Sequence, residues 1–197
     1  MHNLFELAER HVKFKRDVFE KLQQQSMAEI ESLATKEARI VYEWNRQVAG
    51  CFQRSRAFMR LKISPHSIVY GELEPEHFVE DMVARWFLSR FPLFTIMIES
   101  KRGTIVVAKG KPLQRYTEKI DELLPQFEKQ LPKNDILSEI GEFKEDDYWE
   151  NYYSSQFIIE RRNKRYFLRN IPKKFHNWKS LATEKEHFEN NKKLTQF

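Results

Sequence analysis

The sequence predicts an α+β domain: an antiparallel ββαββ core, helices before it, and an aromatic helix plus a basic segment after it. Apolar residues recur at helical spacing up to about residue 56, and the period then changes to two. Sixteen Phe, with only 5 Gly and 7 Pro among 197 residues, indicate a chain that buries a core rather than a disordered or fibrous one.

The first part of the chain is predicted to be helical. Between Asn3 and Leu33 the apolar spacing fits one long helix or two, and Thr35 can cap a further helix that ends near Arg56. We therefore divide the chain into an N-terminal helical region (1–34), an α+β domain (35–181) and a polar C-terminal tail (182–197).

The central part is predicted to hold two hairpins around a helix. Phe58–Ile63 alternates apolar with basic residues, and Ile68–Leu73 can return beside it. Glu74-Pro75-Glu76 suits a helix start, and that helix should stop before Pro92. The second hairpin is predicted from residues 94–98 and 104–108.

The remaining segments are predicted to be mainly helical. Residues 112–130 fit a helix interrupted at Pro125. Trp149, Tyr153 and Phe157 lie four apart, so a helix should pack its aromatic side chains, with the exposed face of the sheet as the expected partner.

Composition limits the function classes. The net charge is +5, from 34 Lys and Arg against 29 Asp and Glu, so any basic footprint must be local. A single cysteine, Cys51, and the lack of a signal peptide or membrane-length apolar run lead us to expect the cytoplasm. No glycine-rich phosphate loop or paired metal-ligand spacing is present, so neither a cofactor nor a metal is predicted.

The strongest local signal is the basic segment from Glu160 to Trp178. Guanidinium and ammonium groups interleaved with aromatic rings suit phosphates and stacked bases, whereas the alternative is a set of core contacts with a solvated charged face. The predicted phosphate ligands are Arg161, Arg162, Arg165, Arg169, Lys173 and Lys174, and the predicted stacking residues are Tyr166 and Trp178.

A second basic group runs from the helix end into the first predicted strand. It consists of Arg54, Arg56, Arg60 and Lys62, of which Arg54 and Arg60 are our nucleic-acid-binding candidates. Arg60 and Lys62 should share one strand face and extend a positive surface, although a solvated sheet face has the same pattern.

Catalytic candidates are weaker. Glu74 and His77 stand near a predicted helix start, where a general base could be held, but acids there are also what the helix dipole favours. Glu160, at the head of the basic segment, is the third candidate.

Seven segments follow one another along the chain: Ala38–Leu61, Glu72–His77, Arg90-Phe91-Pro92, Lys101-Arg102-Gly103, Trp149–Tyr153, Glu160–Arg165 and Ile171–Phe175. In this order they resemble an uncharacterised prokaryotic family described as DNA-metabolism or DNA-repair proteins. The resemblance covers about residues 35–181. Gln53 departs from it, since the family often has His there, and so do Lys164, Ile171 and His176.

The resemblance implies a DNA-binding accessory protein in DNA repair or DNA metabolism with a radical S-adenosylmethionine partner protein. Some members continue into a uracil-DNA glycosylase-like domain, whose chemistry is not expected of a sequence without it. Two alternatives stay open. One is an adaptor that docks a repair enzyme through the aromatic helix around residues 149–157, and the other is an enzyme that processes nucleic acid.

Overall fold

The computed structural model describes residues 5–134 and, in the C-terminal part, Arg169 alone. It confirms the α+β class, with helices packed on a five-stranded mixed sheet. After a short 3-10 turn at Ala8–Arg10, the helices are α1 (Arg16–Gln23), α2 (Met27–Glu31), α3 (Lys36–Phe58), α4 (Glu80–Arg90) and α5 (Ile120–Gln130). The strands are β1 (Lys62–Ser64), β2 (Ile68–Glu72), β3 (Thr95–Ser100), β4 (Gly103–Val107) and β5 (Gln114–Tyr116).

Capping residues set the helix starts in the N-terminal half. The Thr35 hydroxyl accepts a hydrogen bond from the Ala38 amide at 3.2 Å, so α3 begins where the sequence predicts. Ser26 and Glu29 form a reciprocal capping box at the start of α2. The N-terminal region is thus broken into the 3-10 turn, α1 and α2. Of these, α1 and α2 pack against the first half of α3 around Leu22, Ile30 and Val41.

The sheet has the order β1-β2-β3-β4-β5. Its neighbouring strands are antiparallel except β2 and β3, which pair in parallel from Ile68↔Thr95 to Glu72↔Glu99. The prediction of a wholly antiparallel sheet is wrong for this pair. The reason is that α4 carries the chain back along the sheet, so β3 starts at the same end as β2.

Four details differ from the sequence prediction. The first strand, β1, begins at Lys62 and not at Phe58, because α3 continues to Phe58. Helix α4 begins at Glu80, so Glu74-Pro75-Glu76 belongs to a loop, because backbone groups of residues 75–78 are taken by long-range hydrogen bonds. The stretch predicted as helix from residue 112 begins instead with β5, which pairs with the free edge of β4. Pro125 lies inside α5 without ending it, since Ile120 and Leu123 anchor that helix in the core.

Both faces of the sheet are covered. Ile96, Ile98 and Ile105 face α3 and α4, whereas Met97 and Val106 face α5. Strands buried on both sides explain the near-continuous apolar runs of β3 and β4. Helix α5 therefore occupies the sheet face that was expected to receive the aromatic helix at residues 149–157, a segment outside the described residues. Along the described part of the chain, none of the helices has the length and apolar character that a bilayer span requires.

Candidate functional site

Glu74 and His77 lie three residues apart in the loop before α4, in different surroundings. The Glu74 carboxylate is half exposed and pairs with the Lys101 ammonium at 3.1 Å. The His77 side chain is buried, with 2% of the residue exposed. Since a general base must reach the proton that it removes, a buried imidazole has first of all a packing role. Glu160 lies outside the described residues.

The His77 ring packs against a second buried imidazole, His11, with ring centroids 4.4 Å apart. The Gln47 amide donates through Nε2 to Glu43 and so presents its oxygen to His11 Nε2, at 2.8 Å. The Lys13 amide donates to His11 Nδ1 at 3.1 Å. This pattern fits a neutral His11 with its hydrogen on Nε2, and the pair fastens the N-terminal segment to α3 and to the loop before α4.

A cleft of about 360 Å³ opens beside His11, between the N-terminal segment and α3. Trp44 forms one wall, and its ring stacks on His11 with centroids 5.6 Å apart. Hydrogen bonds from Arg46 and Gln47 lower the pKa of Glu43, also in the wall, to about 2. Within residues 5–134 and Arg169, no three His, Cys, Asp or Glu side chains gather in a way that could hold a metal ion.

Two ion pairs, each between a partly exposed arginine and a largely buried carboxylate, fix the loop before α4. Arg10 forms a bidentate pair with Asp81, at 2.6 and 2.9 Å, and also donates to the Phe78 carbonyl. Burial alone would raise the pKa of Asp81, but the hydrogen bonds and positive charge of Arg10 outweigh it, so this pKa is lowered. The charge of each group is thus offset by its partner.

The second pair brings together two segments of the family resemblance. Arg102, in the β3–β4 turn, donates from Nε to the Glu80 carboxylate at 2.6 Å, and only 5% of the Glu80 side chain is exposed. A terminal nitrogen of Arg102 donates to the carbonyls of Pro75 and His77. The segment Lys101-Arg102-Gly103 therefore holds the segment Glu72–His77 in place.

Arg54 and Arg60 are half buried around the connection from α3 to β1. Arg54 folds back along α3 toward Gly50, and the Arg60 carbonyl passes so close to β2 that a Cβ on Gly71 would lie 2.5 Å from it. Because α3 continues to Phe58, Arg60 lies in that connection and not in β1. The prediction that Arg60 and Lys62 share a strand face is therefore wrong.

Two arginines with aromatic partners lie where α3 meets α4. The Arg56 guanidinium lies 5.1 Å from the Phe52 ring centroid and 5.2 Å from that of Trp86. Arg90 lies 5.4 Å from the same Trp86 ring. Each arginine follows an aromatic residue by four positions, the spacing that brings side chains together on a helix. We call Phe52, Arg56, Trp86 and Arg90 the arginine–aromatic surface.

The arginine–aromatic surface is built from two stretches without carboxylates. No Asp or Glu occurs between Glu43 and Glu72, or between Asp81 and Glu99. Within residues 5–134 neither Arg56 nor Arg90 forms an ion pair. Arg56 donates instead to Gln53, one of the positions where the sequence departs from the resembled family. Among the described residues, no carboxylate neutralises the positive charge here, in contrast to Arg10 and Arg102.

The basic segment from Glu160 to Trp178 lies outside the described residues except for Arg169, which is helical and exposed. Its predicted phosphate and base contacts stay predictions.

The chain matches the family model described as domain of unknown function DUF4130 over residues 4–182. The protein belongs to the DUF4130 family. Comparison with curated proteins and with solved structures gave no match. The DUF4130 match takes in the arginine–aromatic surface, the histidine pair and the basic segment alike.

Sequence reasoning missed several notable residues of this DUF4130 protein. The sequence around His11 shows only helical apolar spacing and gives no sign that this polar residue is buried. Its burial follows from contacts with residues far along the chain. Trp86 and Arg90 fall within the helix that is predicted to stop before Pro92, and the sequence assigns neither of them to a binding site. The repeated aromatic-to-arginine spacing of four in two acid-free stretches was the available signal for them.

Proposed function

We propose that this protein binds nucleic acid, as an accessory protein in DNA repair or DNA metabolism, with DNA as the expected ligand. The observation that carries the proposal is the arginine–aromatic surface, where Arg56 and Arg90 lie over Trp86 without a carboxylate partner in residues 5–134. A guanidinium held flat on a ring keeps N–H groups at its edge, and these suit phosphate oxygens.

The proposal also includes the basic segment as a second set of contacts. Its cations would hold further phosphates, and Tyr166 or Trp178 would stack on a base. The family resemblance supports this reading, and it also suggests a radical S-adenosylmethionine enzyme as a protein partner. Co-purification of the two proteins from cells that express both would test that partnership.

The decisive experiment is a salt titration of binding to a short labelled DNA, followed by fluorescence anisotropy. Affinity should fall steeply as salt rises, because each phosphate contact releases condensed counterions. Replacing both Arg56 and Arg90 with Ala should weaken binding and lower the salt slope by about 2, roughly one for each phosphate contact.

Arg46→Ala is the control, since it removes one positive charge from α3 at an exposed position already paired with Glu43. It should leave affinity and salt slope close to those of the wild type. If the wild type binds no DNA at low salt, or if the control weakens binding as much as the double variant, the proposal fails. If the protein captures a repair enzyme but binds no DNA, the alternative function as an adaptor for that enzyme is favoured.

A further inference from the structure

An apolar turn projects directly after the arginine–aromatic surface. Helix α4 ends at Arg90, and the chain then turns through Phe91, Pro92 and Leu93 into β3. A hydrogen bond from the Phe94 amide to the Phe91 carbonyl, at 3.1 Å, closes the turn. Leu93 is 85% exposed and Phe91 is 37% exposed, so two large apolar side chains face solvent at one point.

The turn is held by aromatic contacts. The Phe91 ring stacks on Phe87 with centroids 6.5 Å apart and planes at 17°, and it meets the edge of Phe94 at 6.2 Å. Phe87 in turn belongs to the buried core. The exposed Phe91 ring is therefore preorganised, which lowers the entropic cost of binding a ligand there.

The aromatic contacts continue from Phe87 through Trp86 to the two arginines of the arginine–aromatic surface. Trp86 contacts Phe87 edge to face at 4.9 Å, and Arg56 and Arg90 lie over the Trp86 ring. Positive charge that has no carboxylate partner in the described part of the chain thus adjoins exposed apolar groups. A ligand that satisfies both must combine anionic groups with accessible apolar faces.

We propose that the turn formed by Phe91, Pro92 and Leu93 contacts unpaired bases, so that the ligand is nucleic acid with a single-stranded stretch. This inference rests on the proposed function. In a duplex the base faces are stacked on each other and only phosphates reach the arginines, whereas unpaired bases offer flat faces to the apolar side chains. Two exposed apolar residues are also far fewer than the 20–30 residues a side of a standard protein interface.

The test compares three labelled probes at one salt concentration: a single strand, the fully paired duplex of the same sequence, and that duplex with a short gap. The wild type should bind the single strand and the gapped probe about ten-fold more tightly than the intact duplex. Leu93→Ser should abolish this preference and leave duplex affinity and the salt slope unchanged. The exposure of Leu93 makes unfolding of the variant a minor concern.

Met27→Ser is the matched control, because Met27 is exposed to 45% on α2 and packs in neither core cluster of the sheet. It should keep the preference. Equal affinity of the wild type for all three probes overturns this inference and leaves the proposed function standing, whereas failure to bind any probe overturns the proposed function itself. Binding to vesicles rich in an anionic phospholipid that is lost in Leu93→Ser, without any preference for unpaired probes, overturns it in favour of a membrane surface.

Discussion

Four arginines of this protein fall into two kinds, and the difference separates fold from function. Arg10 and Arg102 each place a guanidinium on a largely buried carboxylate, Asp81 or Glu80, and donate to backbone carbonyls as well. Arg56 and Arg90 lie on aromatic rings in stretches that lack carboxylates.

Local charge balance, not the number of cations, therefore indicates where an anionic ligand would bind. A buried carboxylate left without its cation is costly, so the first kind of arginine should matter for stability. A guanidinium that lies over a ring and has no carboxylate partner among the described residues gives little to stability but keeps its charge available. Mutation of the first kind of arginine should therefore lower stability, and mutation of the second kind should weaken ligand binding.

Arg102→Ala should have the largest effect, a loss of about 3 kcal/mol of unfolding free energy, because it leaves the Glu80 carboxylate buried and unpaired. Urea denaturation followed by circular dichroism measures it. Lys101→Ala is the control at the neighbouring position, where the ion pair with Glu74 is exposed and worth about 0.5 kcal/mol or less. Equal effects of the two changes would contradict the distinction.

Asp81→Asn should cost about 1.5 kcal/mol at neutral pH, because the bidentate pair with Arg10 loses its charge. The pKa of Asp81 is lowered in the folded protein, so its stabilisation is complete above the unfolded pKa of about 4 and is lost as pH falls through the folded value. The wild type and the variant should therefore converge in stability at acidic pH. A constant difference down to the lowest pH would show that Asp81 does not act through its charge.

The sequence predicts elements well wherever local chemistry decides them. Thr35 caps α3, Pro92 follows the end of α4, and the second hairpin turns at Lys101 and Arg102. What it misses depends on distant partners. The parallel pairing of β2 with β3 depends on the path of α4, and β5 forms only because β4 has a free edge.

The candidate site follows the same division. The basic residues Arg54 and Arg60 are conspicuous in sequence, but only the folded chain shows that they are half buried around the α3–β1 connection. Trp86 joins Arg56 and Arg90 because α3 and α4 pack together, a contact between positions thirty residues apart. Spacing within one helix can suggest each half of the surface but not their meeting.

Arg56→Lys should separate the effect of the positive charge from the effect of the planar guanidinium. An ammonium keeps the charge but lacks the planar guanidinium that can lie flat on Trp86. We expect a loss of only about 0.5–1 kcal/mol in unfolding free energy, with weaker DNA binding at an unchanged salt slope. Anisotropy and urea denaturation on the same preparation measure both. A stability loss like that of Arg102→Ala would place Arg56 among the structural arginines.

The smallest effect on stability is expected from Arg46→Ala, because the pair between Arg46 and Glu43 is exposed on α3. Its consequence should be local. Hydrogen bonds from Arg46, more than those from Gln47, hold the pKa of Glu43 at about 2, so removing Arg46 should raise this pKa toward its ordinary value. An NMR titration of the Glu43 side-chain carboxyl resonance would follow the shift. Glu29, whose pKa is lowered by hydrogen bonds from Ser26, is the internal reference. If Glu43 titrates as in the wild type, Gln47 alone holds the carboxylate, and Arg46 belongs with the arginines whose charge is free for a ligand.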